Sequence, residues 1–225
     1  MSSYHFFPLA WPFLLALFLL IVVVVAAIEI GILKYAYEKM GVQPRYVLVV
    51  LVLSLLGSYV NIPVAQLPPE QVMSDSIVTH FGMQYVVPRV EQPGTIIAVN
   101  LGGAVIPALL STYLMIKNSL YLRALAGIAI VALVSHWFAQ PVPGVGIAVP
   151  IFIPPLVAVV VAWVLGRRHG APPLAYICGS MGTLIGADLL NLGNIQGLGA
   201  PVASIGGAGT FDGIFLSGIL AVLLA

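Results

Sequence analysis

PLAWPFLLALFLLIVVVVAAIEIGIL, residues 8–33, contains a single charged side chain, Glu29. A bilayer core about 30 Å thick is crossed by roughly 20 apolar residues in a helix. The run is too long for the core of a signal peptide and has no basic residue before it, so it reads as a retained first helix. Working outward, the rest of the chain has the same character: 61% of residues are hydrophobic and 7% are charged. Soluble domains average about 25% charged residues, so an ordinary soluble domain is excluded. The net charge of +1 gives no basic surface for nucleic acid. The lone cysteine, Cys178, excludes an intrachain disulfide and a cysteine-only metal site. Nothing in the composition calls for a cofactor.

The expected architecture is all-α: one integral-membrane domain over residues 1–225, a polytopic bundle of about seven spans. The spans are placed at Pro8–Ala36, Tyr46–Ala65, Thr95–Ile116, Leu120–Phe138, Pro150–Leu165, Pro172–Leu192 and Thr210–Ala225. Lys34, Lys39 and Arg45 flank the first turn, Lys117 and Arg123 the third, and Arg167 and Arg168 sit in the fifth. Only Arg89 falls on the opposite side, so the positive-inside rule puts the N-terminus outside and the C-terminus inside. A six-span chain would end outside instead. Two outer segments stand out. Residues 66–94, with four prolines, read as an ordered outer loop. Residues 193–209, with six glycines in an apolar context, read as a re-entrant loop packed in a cavity.

Helical spacing groups Ser54, Ser58 and Asn61 on one face of the second span. It groups Asn100, Gly103, Ala104, Pro107 and Ser111 on one face of the third. Small and polar stripes of this kind mark helix–helix contacts or the wall of a hydrated cavity. The sixth span carries Gly179, Gly182, Thr183 and Gly186 on one face and Asp188 and Asn191 on the other. Both faces are marked, which argues for a helix surrounded by protein. Asp188 lies sixteen residues after Pro172, roughly 24 Å along the axis. Asp212 begins the next span, so the two carboxylates reach a similar depth.

An ionisable group at membrane depth is costly and points to function. Two close carboxylates share one proton, and the pair can activate water while polarising a peptide carbonyl. An aspartyl hydrolase acting on a transmembrane peptide is therefore the leading reading, with Asp188 and Asp212 catalytic. Gly209 and Gly213 would leave room for a substrate backbone. The alternative is a transporter or channel for a small ion or solute, with the intramembrane carboxylates lining the path and Asn61, Asn100, Asn191 and Asn194 as neutral ligands. The chain is small for a transporter, so that reading implies a homo-oligomer. A third reading, a zinc or manganese site, would use His136 with the two aspartates. Structural readings stand beside these. Asp212 suits the first turn of a helix capped by Thr210, and Asp188 could tie down the glycine-rich loop.

Gly209-Thr210-Phe211-Asp212-Gly213-Ile214-Phe215 resembles the Gly-x-Gly-Asp segment of the presenilin and signal peptide peptidase type of intramembrane aspartyl protease. Phe211 stands where that family has its second glycine, and Ala187 where a tyrosine precedes the partner aspartate. A Pro107-Ala108-Leu109 occurs, but on the third span. The phrases Gly57–Pro63, Asn100–Ala104, Gly182–Asn191 and Ala203–Gly213 resemble an uncharacterised family of archaeal and bacterial membrane proteins. That resemblance implies a prokaryotic plasma membrane and a multi-pass chain, and brings no activity with it.

Overall fold

In chain order the helices are α1 (Trp11–Lys39), α2 (Pro44–Gly57), α3 (Ile106–Lys117), α4 (Tyr121–Phe138), α5 (Ile153–Thr183) and α6 (Gly213–Leu224). The strands are β1 (Asn61–Gln66), β2 (Glu70–Val72), β3 (Ile77–His80), β4 (Met83–Val86), β5 (Val90–Gln92), β6 (Ile96–Asn100), β7 (Gln140–Val142), β8 (Gly146–Ala148) and β9 (Val202–Ile205). This computed structural model describes residues 11–68, 70–72, 77–80, 83–86, 90–92, 94–142, 146–195, 202–207 and 213–225. The fold is mostly helical. Among the described residues, three helices are long and apolar enough to cross a membrane: Phe18–Lys39, Tyr121–Phe138 and Gly170–Asn194.

The core forms around α5. Gly182 fits against Val131 of α4, and Gly179 lies against Ser217 of α6. Missing side chains at these points let the helix backbones approach closely. α5 also reverses direction. Val161 and Cys178 both lie against Gly127 of α4, which a straight helix would forbid, since 17 residues span roughly 25 Å. The reversal falls between Gly166 and Ala171, where a Cβ on Gly166 would come within 2.8 Å of the Ala171 Cα. The two arms thus correspond to the fifth and sixth helices expected from sequence. The second arm is surrounded, with 72% of its apolar window buried, whereas the matching window of α1 is 0% buried. α1 is apolar on every side and joins the bundle at its end, through Ala36, Tyr37 and Met40.

The all-α expectation needs correction. Strands β1, β6 and β9 form a sheet in that order, with β1 antiparallel and β9 parallel to β6. The second expected helix stops at Gly57, and Asn61 starts β1 instead of completing a helical face with Ser54 and Ser58. The expected third helix begins as a strand, passes through a π-turn at Leu101–Val105 and becomes α-helical only at Ile106. The reasons are local. Ile-Ile-Ala-Val favours an extended central strand. Pro63 lacks an amide hydrogen and sits at a register shift in β1, an edge strand, where proline is tolerated. The glycine-rich loop is likewise more structured than a loop: Leu189–Asn194 is a 3₁₀ segment and Val202–Ile205 is β9. Residues 66–94 contain two short hairpin pairings, β2 with β5 and β3 with β4.

Candidate functional site

The chain is drawn together where two π-turns meet the sheet. The first is Leu101–Val105 and the second is Leu184–Asp188, at the end of the second arm of α5. A π-turn inserts an extra residue into a helix and is often found at functional sites. Here the second one ends on Asp188.

Asp188 is half-buried, and its Oδ2 accepts a 2.7 Å hydrogen bond from the Gly206 amide. Gly206 and Gly207 have φ of 91° and 80°, a left-handed backbone that suits glycine. The turn they form comes directly after β9 and packs onto the first π-turn, with the Gly206 carbonyl pressed on Gly103. Any side chain at Gly103 would collide with it.

Asn100 organises the other half. It is 1% exposed. Its Oδ1 accepts from the Gly103 amide at 2.8 Å, capping the π-turn. Its Nδ2 donates to the Ser58 carbonyl at 2.7 Å and to Asn61 Oδ1 at 3.0 Å. These bonds fix both amides, because Asn100 must present oxygen to Gly103 and nitrogen to Ser58. Asn61 Oδ1 also receives Ser204 Oγ at 2.6 Å, and the same hydroxyl lies 2.6 Å from the Gly207 carbonyl. One hydroxyl proton serves only one of those acceptors at a time.

The other residues singled out from the sequence fall differently. Asn191 is buried and closes the helix end, donating from Nδ2 to the Gly186 and Ala187 carbonyls at 3.0 Å each. Asn194 donates to Asn191 Oδ1 at 3.1 Å. Asn191 is buried and Asn194 is exposed. Pro107 is fully buried in the first turn of α3. Gly213 opens α6, and a Cβ there would meet nothing within 4 Å. Gly209 and Asp212, with the segment resembling the protease motif, lie outside the described residues. His136 is exposed, while the adjacent Ser135 is the residue that faces Gly186. Neighbours on a helix point in different directions, so one of the two had to face away. Among the described residues no group of three His, Cys, Asp or Glu side chains could hold a metal ion.

Sequence reasoning missed Ser204 and Gly206 as site residues. Their signal was present in Val202-Ala203-Ser204-Ile205 followed by two glycines, a short strand bounded by a turn. The second arm of α5 and α6 run side by side. Leu184, four residues before Asp188, and Ile214, the second residue of α6, share an apolar cluster with Ala104 and Ile205.

The fold and site define an apolar helical bundle with a small sheet at one end and a polar asparagine–serine–aspartate cluster beneath it. Within that class the chain belongs to the family described as "Protein of unknown function (DUF1614)", whose model matches residues 55–224. Neither a curated protein nor a solved structure matches the chain.

Proposed function

We propose that the chain is a multi-pass protein of a prokaryotic plasma membrane, crossing about seven times with its N-terminus outside. We further propose that it hydrolyses a membrane-embedded peptide with Asp188 and Asp212 as a dyad. The observation that carries this is the cluster holding Leu184 and Ile214, since it brings the Asp188 end of α5 to the start of α6. An amide donor on Oδ2 suits Asp188 to be the charged member of the pair. Asp188 would take a proton from water as the hydroxyl adds to the peptide carbonyl. Asp212 would give its proton to the carbonyl oxygen, then take a hydroxyl proton back as Asp188 passes its own to the nitrogen and the C–N bond breaks. β9 supports the reading too. It pairs only with β6 among the described residues, so its other edge can receive an extended peptide. Open space at Gly213 leaves room for a substrate backbone at the start of α6.

The test is cleavage of a transmembrane peptide by purified protein in liposomes. Asp188→Asn and Asp212→Asn should each abolish cleavage and leave the unfolding temperature close to that of the parent. Cleavage that survives both changes would end the proposal.

A second reading has its own observation. Asn61 Oδ1, Ser204 Oγ and the Gly207 carbonyl crowd together, with one hydroxyl proton between them besides the Asn100 amide on Asn61, as oxygens that take a small cation do. On that reading the chain moves an ion or small solute, in a homo-oligomer. Asn61→Ala would then abolish sodium uptake into liposomes without touching proteolysis. Uptake equal to that of empty liposomes would dismiss it.

A further inference from the structure

Between α1 and α2 lies a cavity of ≈ 170 Å³ with almost wholly apolar walls. Leu33 of α1 and Leu48, Leu51 and Leu55 of α2 form its sides, and Gly102 and Gly103 of the first π-turn form its floor. A water molecule takes up about 30 Å³ of liquid, and an apolar cavity of this kind does not hold water well. The space suits a stretch of hydrocarbon chain. Helical spacing puts a cation on the groove side of each helix, since Lys34 comes one turn after the lining residue Ile30. Lys34 follows Leu33 directly, and Arg45 stands one helical turn before Leu48. Both are exposed, and the Arg45 guanidinium lies 4.6 Å from the centre of the Tyr46 ring. Tyr35 and Tyr46, the sequence neighbours of these cations, are exposed, as aromatic residues at a lipid headgroup boundary are. The other nearby cations are committed elsewhere: Lys39 donates to the Leu223 carbonyl and Lys117 to that of Gly41.

We infer that this groove is a binding site for an anionic phospholipid, with one acyl chain between α1 and α2 and the phosphate at Lys34 and Arg45. The tail cannot supply the preference. Leaving a bilayer for an apolar groove exchanges one hydrocarbon surface for another. Charge supplies it, at about five-fold in affinity for each lysine or arginine near the headgroup. Arg45 contributes more than Lys34, because Glu38 lies 3.9 Å from the Lys34 ammonium. The inference rests on the membrane reading above and not on hydrolysis. Alkaline carbonate extraction separates the two failures: a chain released by carbonate ends the membrane reading, while a retained chain leaves the lipid site to be judged alone.

The experiment titrates phosphatidylglycerol and phosphatidylcholine into the full chain in neutral detergent and follows the unfolding temperature. Phosphatidylglycerol should act at a concentration 5- to 25-fold lower, roughly the span for one to two cations. Arg45→Gln should narrow that gap about five-fold. Arg45→Lys, which keeps the charge, should preserve it. Arg123→Gln, the same charge removed from α4, should leave it unchanged. Val52→Trp, which fills the groove from an exposed position, should weaken the effect of phosphatidylglycerol. Equal action of the two lipids would overturn the site. So would an Arg123→Gln effect as large as that of Arg45→Gln. Glycerol phosphate reproducing the full shift would show a phosphate site with no seat for a tail, and would overturn it too.

Discussion

Asn100 carries more of the site than any other single side chain. Its amide makes three hydrogen bonds, to a π-turn amide, a helix-end carbonyl and a second asparagine. Removing it leaves buried partners without replacements, at about 1–3 kcal/mol for each group left unsatisfied. Asn100→Ala should therefore lower stability by about 2–4 kcal/mol in reversible unfolding, whatever the chain's activity. Asn61→Ala, at an exposed position, should cost clearly less. Gly103→Ala tests a different dependence. A methyl group there strikes the Gly206 carbonyl and pushes away the amide that holds Asp188. It should impair peptide cleavage as severely as Asp188→Asn while also lowering the melting temperature, which the aspartate variant should not do. Asp188 itself was visible in the sequence, because a carboxylate in an apolar run is conspicuous. Its partner Gly206 was not, because a backbone amide leaves no mark in composition.

At the level of elements, helices were legible and their interruptions were not. Apolar runs gave α1, α4, both arms of α5 and α6 within a few residues. Long apolar segments announce themselves whatever their neighbours do. Tyr46–Ala65 and Thr95–Ile116 were read as whole helices because Val, Ile and Leu fill strands and apolar helices alike. Pro63 was the available warning, since a proline at the eighteenth position of a helical pattern asks for a break. What decides between helix and strand here is pairing across distant sequence, with Asn61 opposite Asn100 and Val99 beside Ile205. No window of twenty residues contains that. The packing of α4 on α5 yields a sharper expectation. Gly182 has no room for a side chain against Val131. Gly182→Leu should separate the two helices and cost about 3 kcal/mol or prevent folding, as overpacked cores do. A yield and melting profile like that of the parent would contradict this packing.

Over the whole molecule, the single cysteine serves as a reporter. Cys178 is 0% exposed and sits at the meeting of α4 with both arms of α5. A maleimide that crosses membranes should leave it unlabelled in the native state and label it fully in denaturant. Labelling at native conditions would mean that the core opens. The arrangement of the sheet has a consequence in time. β6 ends at residue 100, and its parallel neighbour β9 begins at residue 202. A ribosome adding about 5–20 residues per second needs roughly 5–20 seconds to supply that second strand. Through that interval Asn100 can already meet Asn61, but Ser204, the Gly206 amide and α6 do not yet exist. A growing chain therefore has its scaffold before it has its site, and whatever chemistry Asp188 performs is withheld until the turn after β9 has been made.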